Sequence, residues 1–258
     1  MPAEHNEIRS KRAAARRRIE QKRAAEAAAR ARAERRRRAI VGGVVAAVVL
    51  VVAVVVTIVV QTGRAATPAQ AAVPAHTVDD GTTIVVGSSD APVTVDLYED
   101  FQCPNCKAFE DASGQTLTQL VTAGTVQVHY HGMAFLDTSA NDDYSTRALN
   151  AAAAVLDAGG PDAFETFHDL LFADQPAEGG SGLTDDQLVQ YARQAGVTGA
   201  TVERQIRDLT YGDWVKNSTD QASKDGVTGT PTVLVGGVEL SDLTPDGLIA
   251  AVDAARTG

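Results

Sequence analysis

The stretch FQCPNCKAFE, residues 101 to 110, contains the only two cysteines of the 258-residue chain, Cys103 and Cys106. Pro104 and Asn105 separate them. A disulfide that closes so small a loop restrains the unfolded chain much less than one that closes a long loop. A stabilising crosslink is therefore a poor explanation for the pair, and a redox or metal-binding role is left open.

The position of the pair indicates redox chemistry. Cys103 comes shortly after a predicted strand, VTVDLYE (Val93–Glu99), and Pro104 can begin a helix because the first helical residue needs no N–H group. Free N–H groups and a partial positive charge at a helix N-terminus favour thiolate over thiol. We expect Cys103 to be the exposed nucleophile. Cys106, about one turn further on and shielded by the helix, can resolve a mixed disulfide.

The region from residue 81 to 258 has a normal size for one domain with its own core. Its patterns predict an α/β order: two strands, the cysteine helix, a strand at residues 125–132, helices, a hairpin at PTVLVGGVEL (231–240) and a final helix that Pro245 begins. A helical insert is predicted at about residues 140–226. It includes a helix that opens with a Thr184/Gln187 capping box.

Two further features of this insert are predicted. The Ala-rich helix NDDYSTRALNAAAAVLDAGG ends at Gly159 and Gly160, and Pro161 opens the next helix. A later helix is predicted from about Ala200 to Asp225, with four apolar side chains facing inward: Val202, Ile206, Leu209 and Trp214. His168 is expected to be a partly buried structural residue in its helix.

FQCPNCKAFE after an apolar strand, together with GVTGTPTVLVGG at residues 226–237, resembles the thioredoxin-fold disulfide oxidoreductases of the DsbA type. The resemblance covers roughly residues 82–256 and includes the helical insert. It implies a thioredoxin fold with a helical insertion, in which Cys103 attacks and Cys106 resolves.

The same resemblance assigns roles to the second motif. It implies that Pro231 is a cis-proline that faces the cysteine pair. It also implies that Thr230 presents backbone groups to an extended substrate peptide, in the manner of strand addition. Pro104 and Asn105 complete the predicted active-site residues.

The sequence departs from the family pattern at two places. Many thioredoxin-fold enzymes have a buried carboxylate six residues before the nucleophile, where this chain has Leu97. Glu99 or Asp100 could handle protons instead; the alternative is that both lie at a solvated strand end. Asn105 occupies the place of a histidine found in the strongest oxidants, which leaves the redox potential open.

Zinc is the competing interpretation of the cysteines, because Cys-x-x-Cys is also a zinc-binding spacing. His129 and His131 lie on one face of a predicted strand and could complete a site with Cys103 and Cys106. Pro104 and the helix start favour the redox interpretation, as does a location outside the cytoplasm. We expect no metal and no cofactor.

Charge and hydropathy divide the chain into zones. Residues 1–38 contain 14 Lys and Arg against 5 Asp and Glu, whereas residues 61–258 contain 9 and 28. Between them, Ile40–Val60 is a run of 21 uncharged residues. Such a run spans a bilayer at ~1.5 Å per residue, and we predict a membrane helix at residues 39–60. A signal peptide is the alternative, but its apolar region is usually shorter.

The basic side of a single membrane helix stays in the cytoplasm. Residues 1–38 are therefore predicted to be a cytoplasmic tail that lies against anionic lipids, and nucleic-acid binding is not expected. Residues 61–80 are rich in Ala, Pro and Thr and are predicted to be a flexible linker. The acidic domain, residues 81–258, is then extracytoplasmic. This arrangement resembles membrane-tethered family members from high-GC Gram-positive bacteria.

The predicted function is that of a disulfide oxidase acting on exported proteins that contain cysteine. The resemblance implies a membrane partner linked to quinones that reoxidises the pair. A thiol reductase, an isomerase, and a binding or zinc module without turnover are the alternatives. Isomerases of this fold commonly dimerise through an added domain, and residues 61–80 are expected to be too short for one. A helix-terminal Cys103 favours the oxidase.

Overall fold

The computed structural model describes residues 71–257. A six-stranded mixed sheet runs through this region in the order β1-β2-β4-β3-β5-β6. The strands β3 and β4 are parallel, and the other neighbouring strands pair antiparallel. The strands are β1 Thr77–Val78, β2 Thr83–Val86, β3 Val93–Glu99, β4 Val126–Gly132, β5 Thr232–Val235 and β6 Val238–Glu239.

Seven α-helices connect or cover these strands within the described residues. A five-residue π-helical segment, Glu110–Gly114, joins the first two, and a short 3-10 turn lies at Asp79–Gly81. The helices are α1 Pro104–Phe109, α2 Gln115–Thr122, α3 Tyr144–Ala173, α4 Asp185–Gln194, α5 Ala200–Arg207, α6 Gly212–Lys224 and α7 Pro245–Thr257.

The β3–α1–α2–β4 unit confirms the predicted strand-helix-strand order, and its two strands supply the centre of the core. Val95 and Leu97 on β3 and Val126 and Val128 on β4 are completely buried. These residues lie two positions apart on each strand, and Val95 pairs with Val128, so all four side chains lie on the same face of the sheet. The carboxyl end of β3 leads directly into the cysteine segment.

The segment between β4 and β5 is the predicted helical insert, and its helices run from Tyr144 to Lys224. The capping box at Thr184 and Gln187 is confirmed. The first long helix, α3, bends at Gly160, whose φ of 76° interrupts the helical backbone. This break confirms the predicted end of the Ala-rich helix at Gly159 and Gly160 and the start of the next helix at Pro161; α3 denotes both halves.

The predicted continuous helix from Ala200 to Asp225 is wrong. The helix is interrupted between α5 and α6. Leu209, in this interruption, has a φ of 50° and is 39% exposed instead of facing inward. Asn150 on α3 is completely buried and accounts for the break. Its amide donates to the carbonyl oxygens of Gln205 and Ile206, and its side-chain oxygen accepts from the Tyr211 N–H.

The remaining predictions concern the two ends of the domain. The hairpin with its turn at Gly236 and Gly237 and the final helix starting at Pro245 are confirmed. Strand β1, Thr77–Val78, lies inside the range predicted as linker. None of the helices within residues 71–257 combines the length and apolar character needed to cross a bilayer. The predicted membrane helix, 39–60, and the basic tail, 1–38, fall outside the described residues.

Candidate active site

The two cysteines lie where β3 gives way to α1. Cys103 is the N-cap of α1 and Pro104 is its first residue, as predicted. Both cysteines are free thiols. Cys103 is less exposed than predicted, at 6%, and Cys106 is 1% exposed. Cys103 therefore presents only a small part of its surface to a partner, while Cys106 is enclosed.

The surroundings of the two sulfur atoms separate their acidities. The hydrogen bond from the Cys106 thiol lowers the pKa of Cys103 to about 5; burial opposes this shift, while the Thr230 side chain and the N–H groups of Cys106 and Asn105 support it. The pKa of Cys106 is raised far above its ordinary value. The main cause is that its thiol donates this hydrogen bond to Cys103, and burial and the nearby charge of Glu99 add to the shift. Cys103 is consequently the thiolate at neutral pH, and Cys106 keeps its proton.

The second predicted motif meets the cysteine pair from the start of β5. The Thr230–Pro231 peptide bond is cis, the geometry that the family resemblance implied. The Cys103 sulfur lies 3.3 Å from the carbonyl oxygen of Thr230, and the Thr230 hydroxyl oxygen is buried. Pro104 and Asn105 are exposed beside them. The structure thus places Pro104, Asn105 and Thr230 beside the two cysteines, with Pro231 following Thr230 in the chain.

Asp100 is not at a solvated strand end, because it is completely buried. Its Oδ1 atom accepts from the Gln102 N–H at 2.9 Å and from the Ser145 hydroxyl at 2.6 Å, and its Oδ2 atom accepts from the Leu136 N–H at 3.2 Å. Burial raises the pKa of Asp100 to about 6 against these hydrogen bonds. Its carboxylate oxygens are therefore occupied in holding the loop that leads to Cys103.

Glu99 is also buried, at 3% exposure, so the solvated alternative fails for this residue as well. Its Oε1 atom lies 2.8 Å from Nε2 of His168, which is 1% exposed. The sequence placed His168 in a helix but did not reveal this partner, since 69 residues separate the two. A histidine among apolar residues on a core helix was the only available signal.

The end of α3 and the segment after it hold the cysteine loop in place. The Gln175 side-chain amide donates to the Cys103 carbonyl oxygen at 2.9 Å, and the Gln102 amide donates to the Gly180 carbonyl oxygen at 3.0 Å. The Lys107 ammonium group donates to the Phe172 carbonyl oxygen at 2.9 Å. The helical insert thus orients the redox pair from outside the sheet.

The structure does not assemble the alternative zinc site. His129 and His131 both contact Asp96 on β3, at 3.7 and 3.1 Å, and His131 stacks on Tyr98. In the part of the chain that the structure describes, no group of His, Cys, Asp and Glu side chains close enough to share a metal ion includes a cysteine.

The sheet topology, the helical insert and the neighbouring cysteines define a DsbA-like thiol-disulfide oxidoreductase with the thioredoxin fold. A family model described as Thioredoxin matches residues 79–254, and the chain belongs to this family.

Two solved structures show the same relationship. The disulfide bond oxidoreductase DsbG from Mycobacterium tuberculosis is 35% identical, with a TM-score of 0.60 over 69% of this chain and 93% of that one. DsbA from the same organism is 34% identical, with a TM-score of 0.59 over 69% of this chain and 98% of that one.

A curated relative is much longer than this chain. The serine/threonine-protein kinase PknE of Mycobacterium tuberculosis is 30% identical over 69% of this chain. The chain spans about a third of the length of that kinase, 32%. The similarity therefore concerns one part of the kinase chain.

Proposed function

We propose that this protein is a disulfide oxidase that acts on exported proteins containing cysteine. The observation that carries the proposal is the contrast between the two sulfurs: a Cys103 with a pKa lowered to about 5 beside a buried Cys106 that holds its proton. A stabilised thiolate favours the reduced form of the pair, which makes the oxidised form a stronger oxidant.

The proposed reaction moves two electrons from the substrate to the pair. A substrate thiolate attacks Cys103 Sγ, the Cys103–Cys106 bond breaks, and the Cys106 sulfur leaves as a thiolate that takes up a proton. A second substrate thiolate then attacks the substrate sulfur of the mixed disulfide. The products are a substrate disulfide and the Cys103 thiolate, so bonds and electrons balance.

Thr230 and Pro231 are assigned the role of receiving the substrate peptide. Thr230 lies against the Cys103 sulfur where β5 begins, and its backbone can pair with an extended segment. Asn105 contributes its N–H to the Cys103 thiolate, and Pro104 fixes the start of the helix. Glu99 is assigned to proton handling, whereas the occupied oxygens of Asp100 favour an orienting role.

The proposed location is the outer face of the cell membrane, with residues 39–60 as the anchor, 1–38 as a cytoplasmic tail on anionic lipids and 61–80 as the linker. The charge asymmetry and the uncharged run Ile40–Val60 support it. A quinone-linked membrane protein would then reoxidise the pair. After reduction of intact cells with dithiothreitol, labelling of Cys103 by a membrane-impermeant maleimide supports this topology, and labelling only after lysis contradicts it.

The direct test uses the full chain in detergent micelles, oxidised beforehand and mixed with a reduced peptide that contains two cysteines. An oxidase converts the peptide to its disulfide, with one disulfide formed per disulfide lost from the protein. Cys106→Ser, reacted with an oxidised peptide, should accumulate the mixed disulfide, and Cys103→Ser should be inactive. Reduction of oxidised peptide without the reverse reaction would instead identify a reductase. Full activity in Cys103→Ser would leave a binding module.

A further inference from the structure

Three ionisable side chains, two buried and one half-buried, form a cluster outside the cysteine pair. Glu99 on β3, Glu110 just after α1 and His168 on α3 each place one polar atom within 4.8 Å of the others. Glu99 Oε1 bonds His168 Nε2, but Glu99 Oε2 and Glu110 Oε1 are buried without a hydrogen-bond partner. Unpaired buried carboxylate oxygens lower the stability of the fold, so their presence calls for an explanation. Each of them can accept a proton.

Cys106 is the group near this cluster that must change protonation. It is 1% exposed, and the Glu110 N–H bonds to its carbonyl oxygen one turn further along the helix. The negative charge of Glu99 is one of the causes that raise the pKa of Cys106. In the proposed cycle Cys106 gains a proton when the disulfide opens and loses it when the disulfide forms again. Cys103 carries a bonded substrate or partner at both moments, so a proton route that avoids the Cys103 side would stay open throughout.

The cluster has a second route to solvent. His168 Nδ1 lies 3.4 Å from Oδ1 of Asp169, whose side chain is 69% exposed. Asp169 and Glu110 also line a cleft of about 710 Å³ between the π-helical segment, α2 and the end of α3. Cys103, Thr230 and Pro231 do not line it. The cleft therefore opens on a different part of the surface from the Cys103 sulfur.

We propose that the Glu99–His168–Glu110 cluster carries the Cys106 proton to and from this cleft, with His168 as a positioning residue that acts through Glu99. When the pair is reoxidised, the Cys106 proton passes to Glu99 Oε2. His168 then releases its Nδ1 proton to Asp169 and cleft water. One proton leaves the thiol and one reaches solvent. The Cys106 thiolate then attacks Cys103 Sγ in the mixed disulfide, the bond from Cys103 to the partner sulfur breaks, and the partner leaves as a thiolate.

The charges around His168 explain why the two transfers are linked. Burial opposes a charged imidazole, but the carboxylates, Glu99 foremost, raise the pKa of His168 well above its ordinary value. Protonation of Glu99 removes the strongest of these attractions, so His168 then gives up its own proton. Burial raises the pKa of Glu110 to about 7, which lets it share the proton near neutral pH. The titratable groups that face His168 are Glu99, Glu110, Glu165, Asp169 and Tyr130.

The test follows oxidation of the reduced full chain by glutathione disulfide, with acid quenching and mass analysis to separate two phases. The first phase is the attack of Cys103 and yields the mixed glutathione disulfide. The second is the attack of Cys106. His168→Gln keeps an N–H donor for Glu99 but cannot carry a proton. Asp169→Asn changes the exposed group that contacts His168 Nδ1, and Asp162→Asn, exposed on the same helix, is the matched control.

We expect His168→Gln to slow the second phase at least about tenfold at about pH 6, with the first phase and the Cys103 pKa unchanged. Asp169→Asn should slow the second phase about threefold, and Asp162→Asn should not change it. The difference in second-phase rate between His168→Gln and the parent chain should disappear as the pH approaches about 9, because hydroxide then removes the Cys106 proton directly. A structural defect would persist at every pH.

The inference rests on the proposed redox pair, and the two fail differently. Absence of the first phase in the parent chain contradicts the proposed function. A normal first phase with a second phase that is unchanged in His168→Gln and Asp169→Asn contradicts the proton route alone. If His168→Gln does not fold, the Asp169→Asn result decides. Retention of one equivalent of a divalent metal, lost in Glu110→Gln, would also overturn the route, since the metal would occupy its oxygens.

Discussion

The Cys103 sulfur lies 3.3 Å from the carbonyl oxygen of Thr230, a residue 127 positions later in the chain. The sheet sets this distance, because β3 and β5 pair with Tyr98 opposite Thr232. The segment after β3 and the segment before β5 therefore emerge side by side. The register of β3 and β5 therefore brings the redox pair close to the site proposed for the substrate peptide.

The acidity of Cys103 predicts how the stability of the reduced protein depends on pH. Its pKa falls from 9.0 to about 5 on folding, so between these values the unfolded chain binds more protons than the folded one. The free energy of unfolding of the reduced form should therefore rise, relative to that of the oxidised form, from about pH 5 to about pH 9. The stabilisation that the Cys103 thiolate contributes is lost as the pH falls through about 5.

Equilibrium unfolding of both redox forms across this range tests the prediction. Cys106 adds nothing in the window, because its thiol stays protonated in both states below the unfolded value of 9.0. Cys103→Ser should remove the extra slope. Parallel curves for the reduced and oxidised forms would show that Cys103 keeps an ordinary thiol.

Asp100→Ala should lower the free energy of unfolding by about 2–4 kcal/mol, because one buried and one half-buried backbone N–H group lose their acceptor. Those groups belong to Gln102 and Leu136. Ser145→Ala removes only one donor to the same carboxylate, and we expect about 1 kcal/mol. Denaturant titration of the two variants is the measurement. Equal losses would mean that Asp100 does not anchor the loop.

Gly182→Ala should destabilise the domain more than Gly226→Ala, although both glycines have positive φ, 73° and 88°. A Cβ atom on Gly182 would lie 2.2 Å from the Tyr144 ring, which is completely buried, whereas nothing lies within 4 Å of one on Gly226. We expect losses of about 3 and about 1 kcal/mol, from backbone strain alone at Gly226 and from strain plus overpacking at Gly182. Similar melting temperatures for the two variants would contradict the contact with Tyr144.

Local signals were enough to predict most of the elements that carry the cysteines. The apolar alternation of Val93–Glu99 gave β3 with its observed bounds, and Pro104 gave the first residue of α1. The Thr184 capping box and the glycines of the hairpin were equally local. Each of these signals acts over a few residues, so the sequence displays it directly.

Contacts between distant segments could not be predicted in the same way. The helical period of residues 200–225 continued through Leu209, yet Asn150 on another helix binds the backbone there and separates α5 from α6. The Glu99–His168 contact likewise joins β3 to the insert. Burial of Glu99 and Asp100 depends on how the insert packs over the end of β3, which no local pattern records.

The redox potential of the Cys103–Cys106 pair, measured by equilibration of the full chain with glutathione, tests the central claim most directly. A thiolate stabilised beside Thr230 and the start of α1 predicts an oxidising value near about −120 mV. A value near about −270 mV, typical of a thiol reductant, would contradict the account.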